Sequence, residues 1–113
     1  MRGIDFRRLK AEIEMTEVLK ILDYVPTRRT GGQLRGPCPI HGSTSSRSRA
    51  FSVNLQRNAF HCFKCGARGN QLDLWAAVTD LAVYDAAIDL CERLGVEIPF
   101  IEPRAPDASG VAR

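Results

Sequence analysis

The chain has 113 residues, 44% of them hydrophobic and 26% charged, with a formal net charge of +3. That length supports one small domain with a modest core, a size class in which a structural metal commonly supplies the missing stability. No amino-terminal apolar run leads to a cleavage site, and the most apolar stretch, Leu72 to Tyr84, is broken by Asp73, Thr79 and Asp80. Secretion and membrane insertion are therefore not indicated, no membrane partner is implied, and a cytoplasmic location is expected.

In chain order, Ile4 to Leu22 reads as helix, with Phe6, Leu9 and Ile13 on one face and Val18, Leu19 and Leu22 continuing after a break. Thr16 followed by Glu17 is the expected cap of the second piece. Val25 to Thr30 and Gln33 to Pro37 read as two strands joined at Gly31-Gly32, a dipeptide that permits the positive φ angles of a two-residue hairpin. This hairpin leads into Cys38-Pro39-Ile40-His41.

Twenty residues after His41 the chain reaches Cys62-Phe63-Lys64-Cys65. Two intervening residues within each pair let a tight turn aim both side chains at one ion, and two such turns complete a tetrahedron. Three thiolates and one imidazole suit zinc, and four protein ligands leave no open position for an activated water, so Cys38, His41, Cys62 and Cys65 are expected to hold one structural Zn²⁺. A dithiol redox motif at Cys62 and Cys65 would leave Cys38 and His41 unexplained. A disulfide framework would need an oxidising compartment. His61 competes with His41 as a ligand, but its place beside Cys62 on a strand directs it to the opposite face.

Gly42 to Arg49 is a serine-rich loop with little to pack, expected to be mobile, and its Arg47 and Arg49 are free to reach phosphates. Ala50 to Leu55 and Ala59 to Phe63 read as a second hairpin around Gln56-Arg57-Asn58, with Phe51, Val53 and Leu55 on the buried face. Phe60 is expected in the core, while for Phe63 a partly exposed and a buried position are equally open. Asn70 and Asp73 form a capping pair for a helix through Asp80 that buries Leu72, Trp75 and Val78. A last helix from Asp85 to Leu94 places Ala87, Leu90, Cys91 and Leu94 on one face, and Gly95 ends it. Cys91 then reads as a buried apolar residue and not as a further ligand. The tail beyond Pro99 has little to bury and is expected to be disordered.

Charge is unevenly distributed. From Tyr24 to Leu72 there are eight basic residues and no Asp or Glu, whereas residues 73–113 hold three basic against eight acidic. A Cys₃His zinc centre carries a formal charge of about −1, so the ribbon stays strongly positive and suited to a polyanion. Arg57, Lys64 and Arg68 interleave with Phe60, His61 and Phe63, the mixture that follows phosphates and stacks bases of a single strand. Arg35, Arg47, Arg49, Arg57, Phe63, Lys64 and Arg68 are the candidate nucleic-acid contacts. No constellation of carboxylates suggests two-metal phosphoryl transfer in this basic stretch.

The segments Arg35-Gly36-Pro37-Cys38-Pro39-Ile40-His41, Phe51-Ser52-Val53 and Phe60-His61-Cys62-Phe63-Lys64-Cys65-Gly66-Ala67-Arg68-Gly69-Asn70 resemble the zinc-binding domain at the amino end of bacterial DnaG-type DNA primases. The resemblance continues through Leu72 to Trp75 and Ala86 to Val96, and departs in the loop 42–51. It implies an α+β zinc ribbon, a small antiparallel sheet flanked by amino- and carboxyl-terminal helices. The expected divisions are a helical segment 1–23, the zinc-binding domain 24–99 and a tail 100–113. It further implies recognition of single-stranded DNA template during RNA primer synthesis, with the polymerase core, or a helicase, supplied by another chain. On that expectation the chain is not itself an enzyme. The competing expectation is a zinc-ribbon protein-interaction or regulatory adaptor, for instance of a mobile genetic element.

Overall fold

In the computed structural model, which describes residues 3–40 and 48–101, an antiparallel five-stranded meander is backed by four helices. The chain enters through Asp5, whose carboxylate accepts the Arg8 N–H and caps α1, Phe6–Glu12. At Ile13 the backbone turns extended (φ −113°, ψ 117°), which stops α1. Helix α2, Met15–Ile21, is capped by Glu14 and not, as the sequence suggested, by Thr16. The Glu14 N–H donates to the Glu17 carboxylate at 2.9 Å, and the Met15 N–H donates to Asn58 Oδ1 at 2.8 Å, so the helix start is secured two residues earlier and against a distant loop.

The strands are β1 Arg28–Thr30, β2 Gln33–Gly36, β3 Phe51–Asn54, β4 Ala59–Cys62 and β5 Arg68–Asn70, hydrogen-bonded in that order. Gly31 takes φ +58° at the first hairpin, and Asn58 takes φ +51° at the second. Strand β1 is shorter than expected: Val25 and Pro26 lead into it, and Thr27 adds one bond, its N–H donating to the Arg35 carbonyl at 2.8 Å. Strand β5 was not anticipated. Its three residues carry no alternation, and Gly69 lies at φ +151° with the Asp73 side chain where a Cβ would stand.

Register divides the sheet into two faces. Leu34, Val53 and Phe60 lie side by side on one face, with Gly36, Phe51 and Cys62 in the next row, and all six are buried. Helix α3, Gln71–Thr79, buries Leu72, Leu74, Trp75 and Ala76. Its cap is the Asn70 side chain, which accepts the Leu72 and Asp73 N–H groups while Asp73 accepts the Asn70 N–H. Val78 is partly buried against the same core. Helix α4 runs Val83–Leu94, starting two residues ahead of expectation, and ends at Gly95 with φ +69°.

The first two helices share this core: Ile4, Leu9, Ile13, Met15, Val18 and Leu19 are buried in one cluster with the sheet and the later helices. Gln71, itself buried, donates its side-chain amide to the Lys10 and Ile13 carbonyls, satisfying the orphan acceptors where α1 ends. Ile4 bridges to Phe100, the Asp5 N–H donates to the Pro99 carbonyl, and the Ile101 N–H donates to the Gly3 carbonyl. The tail expectation therefore does not begin at residue 100 in the sense of a free chain, and residues 102–113 lie outside those described, as does most of the serine-rich loop.

Trp75, 4% exposed, donates its indole N–H to Asp89 at 2.9 Å, and Arg93 lies 5.4 Å from the ring centroid while pairing with the same carboxylate. Those bonds, from Arg93 first and Trp75 second, hold the Asp89 carboxyl below the usual aspartate range. Replacing Asp89 by alanine is expected to cost about 1–3 kcal/mol, because a buried indole donor loses its acceptor, whereas Arg93→Ala, which removes an exposed pair and an exposed ring contact, should cost about 1 kcal/mol or less. Urea denaturation followed by circular dichroism measures both. The Asp89 contribution is present above the ordinary aspartate pKa of about 3.9 and is lost as pH falls through the lowered value.

Candidate metal centre and nucleic-acid face

Both expected ligand turns emerge at the same end of the sheet. Strand β2 ends at Gly36 and delivers Cys38, while β4 ends at Cys62 and opens the turn that returns at Cys65. In that turn the Gly66 N–H donates to the Cys62 carbonyl at 2.9 Å, Gly66 takes φ +80°, and the Cys65 N–H points at Cys62 Sγ at 3.4 Å. The sulfurs of Cys38, Cys62 and Cys65 all lie within 4.8 Å of one another, and the Cys38 and Cys65 sulfurs are 4.0 Å apart. Tetrahedral zinc with Zn–S bonds of about 2.3 Å requires sulfurs about 3.8 Å apart. The donor set therefore fits one zinc ion, and backbone N–H groups already face the sulfur charge.

Cys62 is the ligand whose electrostatics are clearest. Burial alone would raise its pKa, yet the N–H groups of Cys65 and Lys64 and the thiols of Cys65 and Cys38 together bring it below the ordinary thiol value. Cys91 behaves oppositely. It is fully buried in α4, and burial together with Glu12 and Glu92 raises its pKa, so it belongs to the core and not to the sulfur cluster. His41, the expected fourth ligand, lies outside the described residues.

The sheet's other face carries the second site. Cross-strand register aligns Arg28, Arg35, Ser52, His61 and Arg68 in one row across all five strands. Beside that row Phe63 is 62% exposed, its ring 4.3 Å from the His61 ring, with the Arg35 guanidinium 5.2 Å from its centroid. Arg35 is held in place because its Nε and Nη2 donate to the Arg49 carbonyl at 3.1 and 2.6 Å. The arrangement presents fixed cations next to an exposed aromatic ring, which is the chemistry that tracks phosphates and stacks bases.

Of the candidate contacts, the structure brings together Arg35, Arg49, Phe63 and Arg68, with Lys64 exposed in the adjoining ligand turn. Arg57 is exposed in the β3–β4 turn, at the end of the sheet away from the sulfurs. Arg47 lies outside the described residues. Phe60 is buried, and its ring packs on Phe51 at 5.6 Å. Three members of the row, Arg28, Ser52 and His61, were not among the candidates. Counting outward from a two-residue turn at Gly31-Gly32 pairs Arg28 with Arg35, and that signal was available in the sequence.

An antiparallel sheet with a sulfur cluster held by turns at one end defines a zinc ribbon. The sequence profile of the CHC2 zinc finger of DnaG matches residues 4–105, and the chain belongs to that family. It is 31% identical over 97 residues to a DNA primase of Synechocystis, covering 86% of this chain and 14% of that protein. It is also 32% identical over 93 residues to a DNA primase of Helicobacter pylori, covering 82% of this chain and 16% of that one. Among solved structures, the zinc-binding and RNA polymerase domains of Aquifex aeolicus primase superpose with a TM-score of 0.66 at 27% identity, over 86% of this chain and 23% of that chain. The chain thus spans only about one seventh of the length of the curated relatives it matches. Among the described residues, no helix is long and apolar enough to cross a membrane.

The protein is expected to bind one zinc per chain by elemental analysis. Chelation should abolish the cooperative thermal transition, Cys62→Ser should lose the metal, and Cys91→Ala should retain it. Circular dichroism alongside the metal assay distinguishes metal loss from simple core damage.

Proposed function

We propose that the chain is the template-recognition module of a DNA primase, binding single-stranded DNA across the polar face of its sheet during RNA primer synthesis. The observation that carries this reading is the cationic row of Arg28, Arg35 and Arg68 running across the strands beside the exposed Phe63. Arg35 and Arg68 engage the phosphate backbone, joined by Lys64 and, from neighbouring segments, Arg47, Arg49 and Arg57. Phe63, braced by His61 and Arg35, offers the stacking surface. Cys38, Cys62 and Cys65, with His41 as fourth ligand, hold zinc at the end of the sheet. A bound zinc supplies rigidity and no chemistry, which keeps Phe63 and Lys64 in register with Arg35.

Primer synthesis is assigned to a polymerase core acting with this module in the cytoplasm, with a replicative helicase as a further partner. In support, the matched residues amount to a small share of the relatives, and the similar solved primase carries zinc-binding and RNA polymerase domains. Purified protein with template, nucleotides and magnesium is accordingly expected to make no primer by itself.

Fluorescence anisotropy with labelled single-stranded, duplex and RNA oligonucleotides over a salt series tests the binding surface. Arg35→Ala and Arg68→Ala should each weaken single-strand binding regardless of sequence and reduce the salt slope by about one. Phe63→Ala should cost roughly 1–3 kcal/mol with little change in slope, and Arg93→Ala, on α4, should have little effect. Equal small effects at all four positions, with zinc content unchanged, would favour a protein-interaction adaptor.

A further inference from the structure

Behind β2, over the glycine two residues ahead of Cys38, lies a buried hydroxyl with no acceptor among the described residues. Tyr24 follows α2 and lays its ring against Phe51 edge-on, with ring centroids 5.5 Å apart. Its hydroxyl is buried and has no hydrogen-bond partner among the described residues. A buried hydroxyl without an acceptor costs about 1–3 kcal/mol, so its retention calls for a partner or a purpose.

The hydroxyl occupies a notch that the backbone leaves open for it. A Cβ on Gly36 would stand 2.5 Å from the Tyr24 oxygen, as well as 3.0 Å from the Thr27 nitrogen, so only glycine accommodates the phenol there. The φ of Gly36 is unexceptional, and the requirement is steric. Gly36 is two residues ahead of Cys38, and it shares a row of the core face with Phe51 and Cys62. The notch therefore directs the hydroxyl to the inner side of the metal centre, where the buried Cys38 and Cys62 lie, and away from the exposed Cys65.

We propose that Tyr24 is a positioning residue of the metal centre, its hydroxyl donating a hydrogen bond to the buried pair of ligand sulfurs, Cys38 and Cys62, when zinc is bound. Zinc makes the chemical difference. A free thiol is a weak acceptor, whereas a metal-bound thiolate retains lone pairs and substantial negative charge, and becomes the acceptor the phenol lacks. The Cys65 and Lys64 N–H groups already face Cys62 Sγ from the turn, and Tyr24 adds a donor from the core side. Such outer partners fix ligand orientation and tune how tightly the ion is held.

Tyr24→Phe removes the hydroxyl and keeps the ring on Phe51, so it isolates the hydrogen bond. In the whole chain, zinc affinity measured by competition with a chromophoric chelator should fall by about 10- to 100-fold. After cobalt substitution, the sulfur-to-metal charge-transfer band should move to lower energy, because a thiolate relieved of a hydrogen bond releases its electrons more readily. Gly36→Ala, which displaces the hydroxyl while leaving it on the ring, should shift the band in the same direction. It also decides the question if Tyr24→Phe fails to fold. Unchanged zinc affinity and an unmoved cobalt band in Tyr24→Phe, with equal or greater thermal stability, would show a merely desolvated hydroxyl and overturn the proposal.

Discussion

The fold depends on closing two chain turns over one point at the end of a short sheet. Strands of three or four residues have little ladder to hold them, and the helices cover only one face of the meander. Drawing Cys38 together with Cys62 and Cys65 joins the end of β2 to the end of β4 and fixes β3 between them. Binding of the ion and formation of the sheet are thus expected to be coupled, with the residues beside the ligands positioned through them.

This constraint also explains why two unlike surfaces coexist in so small a chain. The rows containing Leu34, Val53, Phe60, Phe51 and Cys62 face the helices and form a core continuous with Leu9, Leu72 and Leu90. One residue out of step, the same strands present Arg28, Arg35, Ser52, His61 and Arg68. A slip of register by one would exchange these sets, burying arginines and exposing Phe51, so the hydrophobic pattern and the basic face specify each other. The absence of carboxylates between Tyr24 and Leu72 leaves that face without internal neutralisation. Acidic side chains instead gather on α3, α4 and the segment after them, where Asp89 serves the core tryptophan.

Much of this could be read from residue order because the informative signals were local. Gly31-Gly32 marked a turn, Asn70 with Asp73 marked a helix start, and Gly95 marked a helix end, each through a requirement on one or two residues. Spacing alone grouped Cys38, Cys62 and Cys65 and excluded Cys91. What remained hidden depends on distant partners. Glu14 prevails over Thr16 as the cap because Asn58, across the fold, accepts the Met15 N–H. Strand β5 exists because β4 offers an edge to Arg68–Asn70, three residues with no pattern of their own. The row that unites Arg28 with Arg68 passes through four pairings, of which only the two hairpins were visible beforehand. The notch at Gly36 is recognisable only once Tyr24 stands over it.

The central claim is that a zinc-braced sheet presents its polar face to a single strand of DNA. Nitrogen-15 heteronuclear NMR of the zinc-loaded protein, titrated with a short single-stranded oligonucleotide, tests it most directly. The account predicts that the largest amide and side-chain shifts fall on Arg35, Ser52, His61, Phe63, Lys64 and Arg68, with α1 and α4 unmoved. Shifts concentrated on α4, or none at low salt while zinc remains bound, would contradict it.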